Sequence, residues 1–262
     1  YPTLKDRLDD TSDKIGILSE KEIRSRTFKG EKFPVFSSHS GVNYIAPINT
    51  LPAFELAGEI GYKYMEADLR TTLDDVWVVF HDDTVDAMTD GTGPLSSKTL
   101  SEVKSLNVDT KPAFVGTKIP TLDEFLSVCA KWKAIPILEI KTYNNDENLS
   151  TLINLLKDYG FLTNCIIMSF TINDLVKIRN LDKDIPLCVL SNDATQTEID
   201  NAKLIESDYV SINKEAITKD FCELAHASGL KVGAWTIDDE IEARNLISMG
   251  VDIITTNSLV PR

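Results

Sequence analysis

The stretch "YMEADLRTTLDDVWVVF", residues 64–80, decides how the fold is counted. Its ends, Tyr64–Leu69 and Val76–Phe80, are apolar runs rich in β-branched and aromatic residues, the composition of strands. Only six residues, Arg70 to Asp75, lie between them. A parallel pair needs a crossover of about a dozen residues or more, whereas an antiparallel pair closes with a short turn. Val76–Phe80 is therefore read as a hairpin-like excursion from the top of Tyr64–Leu69.

Working outward, strand-like runs recur at Phe33–Ser38, Ile135–Ile140, Cys165–Phe170, Pro186–Leu190, Tyr209–Ile212, Lys231–Thr236 and Asp252–Thr256. Helical patterns such as "NTLPAFELAGEIG" (49–61), "TLDEFLSVCAKW" (121–132), "NLSTLINLLKDYG" (148–160) and "DEIEARNLISMG" (239–250) fall between most of them. Several close on Gly, as helices before a strand often do. Strand–helix repetition gives a parallel α/β fold. With the excursion set aside, eight of the nine runs remain, which predicts a TIM (β/α)8 barrel. A doubly wound open sheet is the other arrangement, but no Gly-rich turn supports a nucleotide site there.

Composition agrees with one barrel. The chain has 262 residues, of which 42% are hydrophobic and 26% charged. No Pro/Gly/Ser linker divides residues 34–258, so residues 31–258 are predicted to form the barrel domain. A net charge of −14 argues against broad contact with nucleic acid or an anionic membrane face. No run is long enough for a transmembrane helix. There is no signal-peptide pattern, and a chain starting at Tyr1 is expected to be part of something longer. Cys129, Cys165, Cys188 and Cys222 lie in apolar runs without CxxC spacing and read as buried free thiols.

Active sites of such barrels lie at the C-terminal ends of the strands, and the chemically capable residues gather there. His39 follows the first strand, and Glu66 and Asp68 share one face of the second by alternation. His81 and Asp82 end the excursion, Glu139 and Lys141 end the next strand, and Trp235 lies near the end of the seventh barrel strand. Each pair alone is ordinary: Glu-x-Asp is commonly a solvated loop edge, His-Asp a turn, Glu-x-Lys an ion pair. Their joint placement at one mouth points to a hard-oxygen site for Ca²⁺ or Mg²⁺, formed by Glu66, Asp68 and Glu139. The absence of Cys from that set disfavours zinc. His226, inside "FCELAHASG", reads as a structural or surface histidine.

The ends differ from the barrel. Leu4, Leu8, Thr11, Ile15 and Leu18 are spaced 4-3-4-3, so residues 1–30 are expected to form a helical or coiled-coil linker. Through it the chain would form a homo-oligomer such as a trimer, or the helix would lie on the barrel. The segment "YPTLKDRLDDTSDKI" resembles junctions in tail proteins of phages of Gram-positive bacteria. The C-terminal "LVPR" resembles a thrombin-cleavable expression linker, so Leu259–Arg262 are expected to carry no function, a natural terminus being the alternative.

The stretches "SHSG…PINTLPAFELAGEIG", "MEADLRTTLDDVWVVFHDDTVDAMTDGTGPLS", "KIPTLDEFL", "LEIK", "MSF", "AWTID" and "GVDIITTN" together resemble the glycerophosphodiester phosphodiesterase family over nearly all of residues 34–257. The resemblance implies a TIM barrel with His39 and His81 as its catalytic pair. It also implies Glu66, Asp68 and Glu139 as metal ligands and Lys141 as a phosphate contact; Trp235, by its place at the same mouth, is expected to contact the substrate. Family members usually carry His-Arg-Gly and Pro-Glu-Asn-Thr where this chain has His39-Ser40-Gly41 and Pro47-Ile48-Asn49-Thr50. A bidentate guanidinium grip on phosphate and a carboxylate are thus missing together, which implies an altered pocket or a different phosphodiester. The expected activity is metal-dependent hydrolysis of a glycerophosphodiester. With the phage-like segment, the substrate would be a glycerol-phosphate polymer such as teichoic acid, cleaved outside the cell or from a virion tail. A sphingomyelinase D-like lyase and a non-catalytic cell-wall receptor-binding module are the alternatives.

Overall fold

The structure, a computed structural model, describes residues 35–108 and 110–260. The heptad-spaced segment 1–30, with the oligomer seam expected of it, lies outside the described residues. Strands β1 (Val35–Ser38), β2 (Tyr64–Thr71), β4 (Ile135–Thr142), β5 (Ile166–Ser169), β6 (Leu187–Ser191), β7 (Tyr209–Asn213), β8 (Lys231–Trp235) and β9 (Ile253–Thr256) are all parallel, each hydrogen-bonded to the next. β1 pairs with both β2 and β9, so the eight strands close into a barrel. β3 (Trp77–Val79) lies outside that cycle and pairs antiparallel with β2, Leu69 facing Val79 and Thr71 facing Trp77. The short gap after Leu69 was long enough only for this return.

Helices α1 (Leu51–Ile60), α3 (Leu122–Trp132), α4 (Asp146–Asp158), α5 (Ile172–Leu181), α6 (Gln196–Leu204), α7 (Lys219–Ala227) and α8 (Glu240–Met249) cover the barrel, and α2 (Leu100–Ser105) belongs to the excursion. Local chemistry sets their ends. Thr121 accepts from the Glu124 N–H while the Glu124 side chain accepts from the Thr121 N–H, a capping box that starts α3. Gly61 ends α1 at φ 98°, a left-handed conformation glycine adopts without a Cβ clash. α1 and α3 meet through Phe54 and Phe125, whose rings cross edge to face at 4.5 Å; neither is exposed. Burying each such ring contributes about 1.5–3 kcal/mol.

Two cores matter for the site. Inside the barrel, Ile137, Ile166, Met168, Cys188, Leu190 and Ile253 form an apolar plug that floors the mouth. The excursion packs around its own cluster of Val78, Phe80, Val85, Leu95, Val103, Val108 and Ile119. All four cysteines are buried and free; burial pushes the Cys165 thiol up to about 12, which makes it inert.

The described part of the C-terminus packs against the barrel. Leu259 and Val260 are 3% and 6% exposed and pack in the main core, and the Tyr62 hydroxyl donates to the Leu259 carbonyl at 2.5 Å. They are apolar, and Tyr62 supplies a buried donor for their backbone, so they belong to the fold. No helix among the described residues is long and apolar enough to cross a membrane.

Candidate active site

β2 and β4 lie side by side in register, with Asp68 opposite Glu139. Strand alternation turns Glu66 to the same side as Asp68. The three carboxylates each offer an oxygen within 4.8 Å of the others, and their residues are 1%, 1% and 7% exposed. Three like charges gathered away from water are costly unless paired. Lys141 supplies one counter-charge, its Nζ lying 2.6 Å from Glu139 Oε1 and 3.3 Å from Asp68 Oδ1. The Ser40 N–H donates to Glu66 Oε2 at 2.8 Å, and Asp68 Oδ2 accepts from Asn49 Nδ2 at 2.7 Å and from the Ser40 hydroxyl at 3.2 Å.

This neutralisation is incomplete. Burial, together with the Asp68 and Glu139 charges, holds the Glu66 carboxyl well above the ordinary carboxylate range. Burial and Asp68 likewise raise Glu139. Burial would raise Asp68 as well, but Lys141, the two histidines and the Asn49 amide together pull it below its usual value. Glu66 Oε1 is buried with no hydrogen-bond partner among the described residues. An unpartnered carboxylate oxygen beside two further carboxylates is a donor set that fits a hard divalent cation.

Two histidines flank this cluster. His39 is fixed at the end of β1 by its N–H, which donates to the Thr256 carbonyl at 2.9 Å. Its Nδ1 lies 2.8 Å from Asn257 Oδ1. Asn257 Nδ2 donates to Asp238 Oδ2 at 2.7 Å, which fixes the amide with its oxygen toward the imidazole. An amide oxygen only accepts, so Nδ1 carries a proton and Nε2 is the ring nitrogen left for a bound molecule. Asn43 Nδ2 donates to the same Asn257 oxygen. His81, at the end of the excursion, places Nδ1 2.7 Å from Asp82 Oδ1, which leaves its Nε2 free as well. The Arg70 Nε–H holds the His81 carbonyl at 2.9 Å.

Between the histidines a cavity of about 240 Å³ opens at the barrel mouth. His39, His81, Glu66, Glu139 and Lys141 form its polar side, and Met168, Phe170, Leu190 and Trp235 its apolar side. The Phe170 and Trp235 rings meet edge to face at 5.8 Å. Trp235 Nε1 is buried without a partner among the described residues, a donor available to a molecule in the cavity.

Residues 39–260 match the model of the glycerophosphoryl diester phosphodiesterase family. The chain belongs to that family. Among its relatives, the Bacillus subtilis protein YhdW is 31% identical over 226 residues, covering 84% of this chain and 93% of its own. A glycerophosphodiester phosphodiesterase of Caldanaerobacter subterraneus is 30% identical over 235 residues, covering 84% of this chain and 92% of its own. The fold superposes on that of an Oleispira antarctica phosphodiesterase, solved with its product sn-glycerol-3-phosphate, with a TM-score of 0.80 at 26% identity over 86% of this chain and 93% of that one. The chain is thus a glycerophosphodiester phosphodiesterase-type hydrolase on a TIM barrel.

In this enzyme all the residues singled out from sequence meet at one mouth: His39, Glu66, His81, Glu139, Lys141 and Trp235 line the cavity, and Asp68 lies buried beside them. His226 is elsewhere, paired with Asp252 at 2.9 Å on the surface. Asn257, Asp238, Asn43 and Asn49 were not singled out as site residues. "AWTID" ends on Asp238 and "GVDIITTN" on Asn257, so the signal was present without a role attached. Ser40 does not simply leave a gap where the family usually has arginine. It sits at φ 53° and turns both its N–H and its hydroxyl onto the acidic cluster. Gly41 follows at φ 82°, and a Cβ there would lie 2.7 Å from Ala53, so the bend after His39 accepts only glycine.

Proposed function

We propose that the enzyme hydrolyses glycerophosphodiesters in the cavity between His39 and His81, with a Ca²⁺ or Mg²⁺ ion held by Glu66, Asp68 and Glu139. The observation that carries this reading is the pair of imidazoles lining one cavity beside the carboxylate cluster, each with its Nδ1 held by an acceptor so that Nε2 is left to exchange a proton. In the reaction, one imidazole accepts the proton of the glycerol hydroxyl next to the phosphate as that oxygen attacks phosphorus. The other donates a proton to the departing alcohol, and water then opens the cyclic phosphate with the imidazole roles reversed. Lys141 offsets the negative charge that grows on the phosphate oxygens. The cation, when bound, supplies further neutralisation of the same charge.

The apolar side formed by Met168, Phe170, Leu190 and Trp235 would hold the alcohol, and the Trp235 N–H would donate to one of its oxygens. The finer reading is that the natural substrate is a glycerol-phosphate polymer such as teichoic acid, met at a bacterial surface by a phage tail protein. Its support is the "YPTLKDRLDDTSDKI" resemblance and the replacement of the usual arginine by Ser40. The test is release of glycerol phosphate from purified poly(glycerol phosphate) and from glycerophosphocholine, each with Ca²⁺, with Mg²⁺ and with EDTA. Cation-dependent release, lost in His39→Ala, is the expected result, and the faster substrate identifies the preferred class. Cyclic phosphate as the final product would instead indicate a lyase. Polymer bound without turnover would indicate a receptor-binding module.

A further inference from the structure

A second cleft, of about 330 Å³, adjoins the mouth between the excursion and the end of β4. Arg70 stands in its wall, two residues beyond Asp68 on β2 and 8% exposed. Its Nε is spent on the His81 carbonyl, and its Nη1 on the Thr142 hydroxyl at 3.0 Å and on Asp83 Oδ1 at 2.5 Å. Its Nη2 has no hydrogen bond among the described residues, so the fork has donors left for an anion. Asp83, which also lines the cleft, pairs with Nη1 alone, and its side chain is 81% exposed and able to turn to water. Thr71 and Thr84 add hydroxyls to the same cleft.

We infer that this cleft is a subsite for the neighbouring phosphate of an extended phosphodiester, with Arg70 Nη2 as its anchor. The inference rests on the phosphodiesterase reading and specifies its substrate as a polymer. Spacing supports it. Two phosphorus atoms joined through one glycerol are separated by as many bonds as the Cα atoms of Asp68 and Arg70, a span on the order of 7 Å when extended. A phosphate held at the acidic cluster therefore has its neighbour within reach of Arg70. Hydroxyls beside the guanidinium suit the glycerol that joins the two. A monomeric glycerophosphodiester leaves the cleft unused.

The test compares glycerophosphoglycerol, which has one phosphodiester, with the next longer glycerol-phosphate oligomer. Arg70 itself is left alone because it holds the His81 backbone. Ser96, exposed at the cleft, is changed to Glu and to Lys. The wild-type enzyme is expected to show a kcat/KM about tenfold higher for the oligomer. Ser96→Glu should remove that preference and Ser96→Lys should increase it, with glycerophosphoglycerol turnover unchanged in both. Equal wild-type values for the two substrates, or equal losses on both in Ser96→Glu, would overturn the subsite. Calorimetry on the cation-loaded His39→Ala protein supplies a binding readout. If the wild type cleaves neither substrate, the hydrolase reading fails on its own. The subsite then stands if the oligomer binds about tenfold tighter and Ser96→Glu abolishes the difference, and falls if both bind alike.

Discussion

On the β1–β2–β4 side of the mouth almost every polar side chain is tied to another; on the β5–β8 side Met168, Phe170, Leu190 and Trp235 present apolar surface with one unspent donor. The first side holds buried charges, which persist only because Lys141, Asn49 and Ser40 are placed to within hydrogen-bond distance of them. Such a network is rigid and intolerant of change. The second side is shaped by volume, which tolerates exchange among side chains of similar size. Reaction chemistry is thus assigned to the tied side and choice of alcohol to the apolar side.

Single substitutions can break that division. The largest effect is expected for His81→Ala, about a thousandfold loss of kcat, with the melting temperature nearly unchanged because His81 is exposed. A comparable kcat loss in Trp235→Ala would show chemistry on the apolar side too. Next is Glu66→Gln, expected to lower activity about a hundredfold by disrupting the cation site. Its thermal behaviour sharpens the point. The Glu66 carboxyl is raised in the folded chain, so its favourable contribution is complete below the unfolded carboxylate value and disappears as pH rises through the raised one. EDTA-treated enzyme should therefore melt lower as pH rises through that window, and Glu66→Gln should flatten the decline. Cation at about a hundred times its Kd should add about 2.7 kcal/mol to the wild type, and far less to the variant.

A smaller effect is expected from Asn257→Ala, roughly tenfold in kcat with little change in KM, because the imidazole of His39 loses the acceptor that orients it. Asn257→Asp, which keeps an acceptor, should recover much of the rate; failure to do so would show that the amide donor to Asp238 is what matters. The smallest is Trp235→Ala, a severalfold rise in KM for bulky alcohols at near-constant kcat, read from steady-state kinetics on a series of leaving groups.

The barrel was legible because its strands carry their signal locally. Runs such as Ile135–Ile140 and Asp252–Thr256 became β4 and β9 with boundaries moved by one or two residues, and the gap at Arg70–Asp75 correctly removed Trp77–Val79 from the barrel. The charged site residues were legible because Glu-x-Asp and His-Asp stand out at strand ends. The neutral ones were not. Asn257 acts on a histidine 218 positions away, and an amide has no charge pattern to mark it. Ser40 read as a missing arginine, since its left-handed backbone and its two bonds to the cluster exist only after β1 and β2 pair. Leu259 and Val260 matched a linker by their letters, whereas their burial depends on Tyr62.

The excursion decides how His81 is held. It folds around Val78, Phe80, Val85, Leu95, Val103, Val108 and Ile119, a core separate from that of the barrel, and it brings His81 with it. Lys111 fastens it to the loop after β1 through the carbonyls of Asn43 and Tyr44. Trp77 and Val79 of the same segment join the core of the barrel, so His81 is carried by a body anchored on both sides. The β2 and β4 carboxylates would remain behind in a barrel stripped of the segment, a cation holder with one histidine.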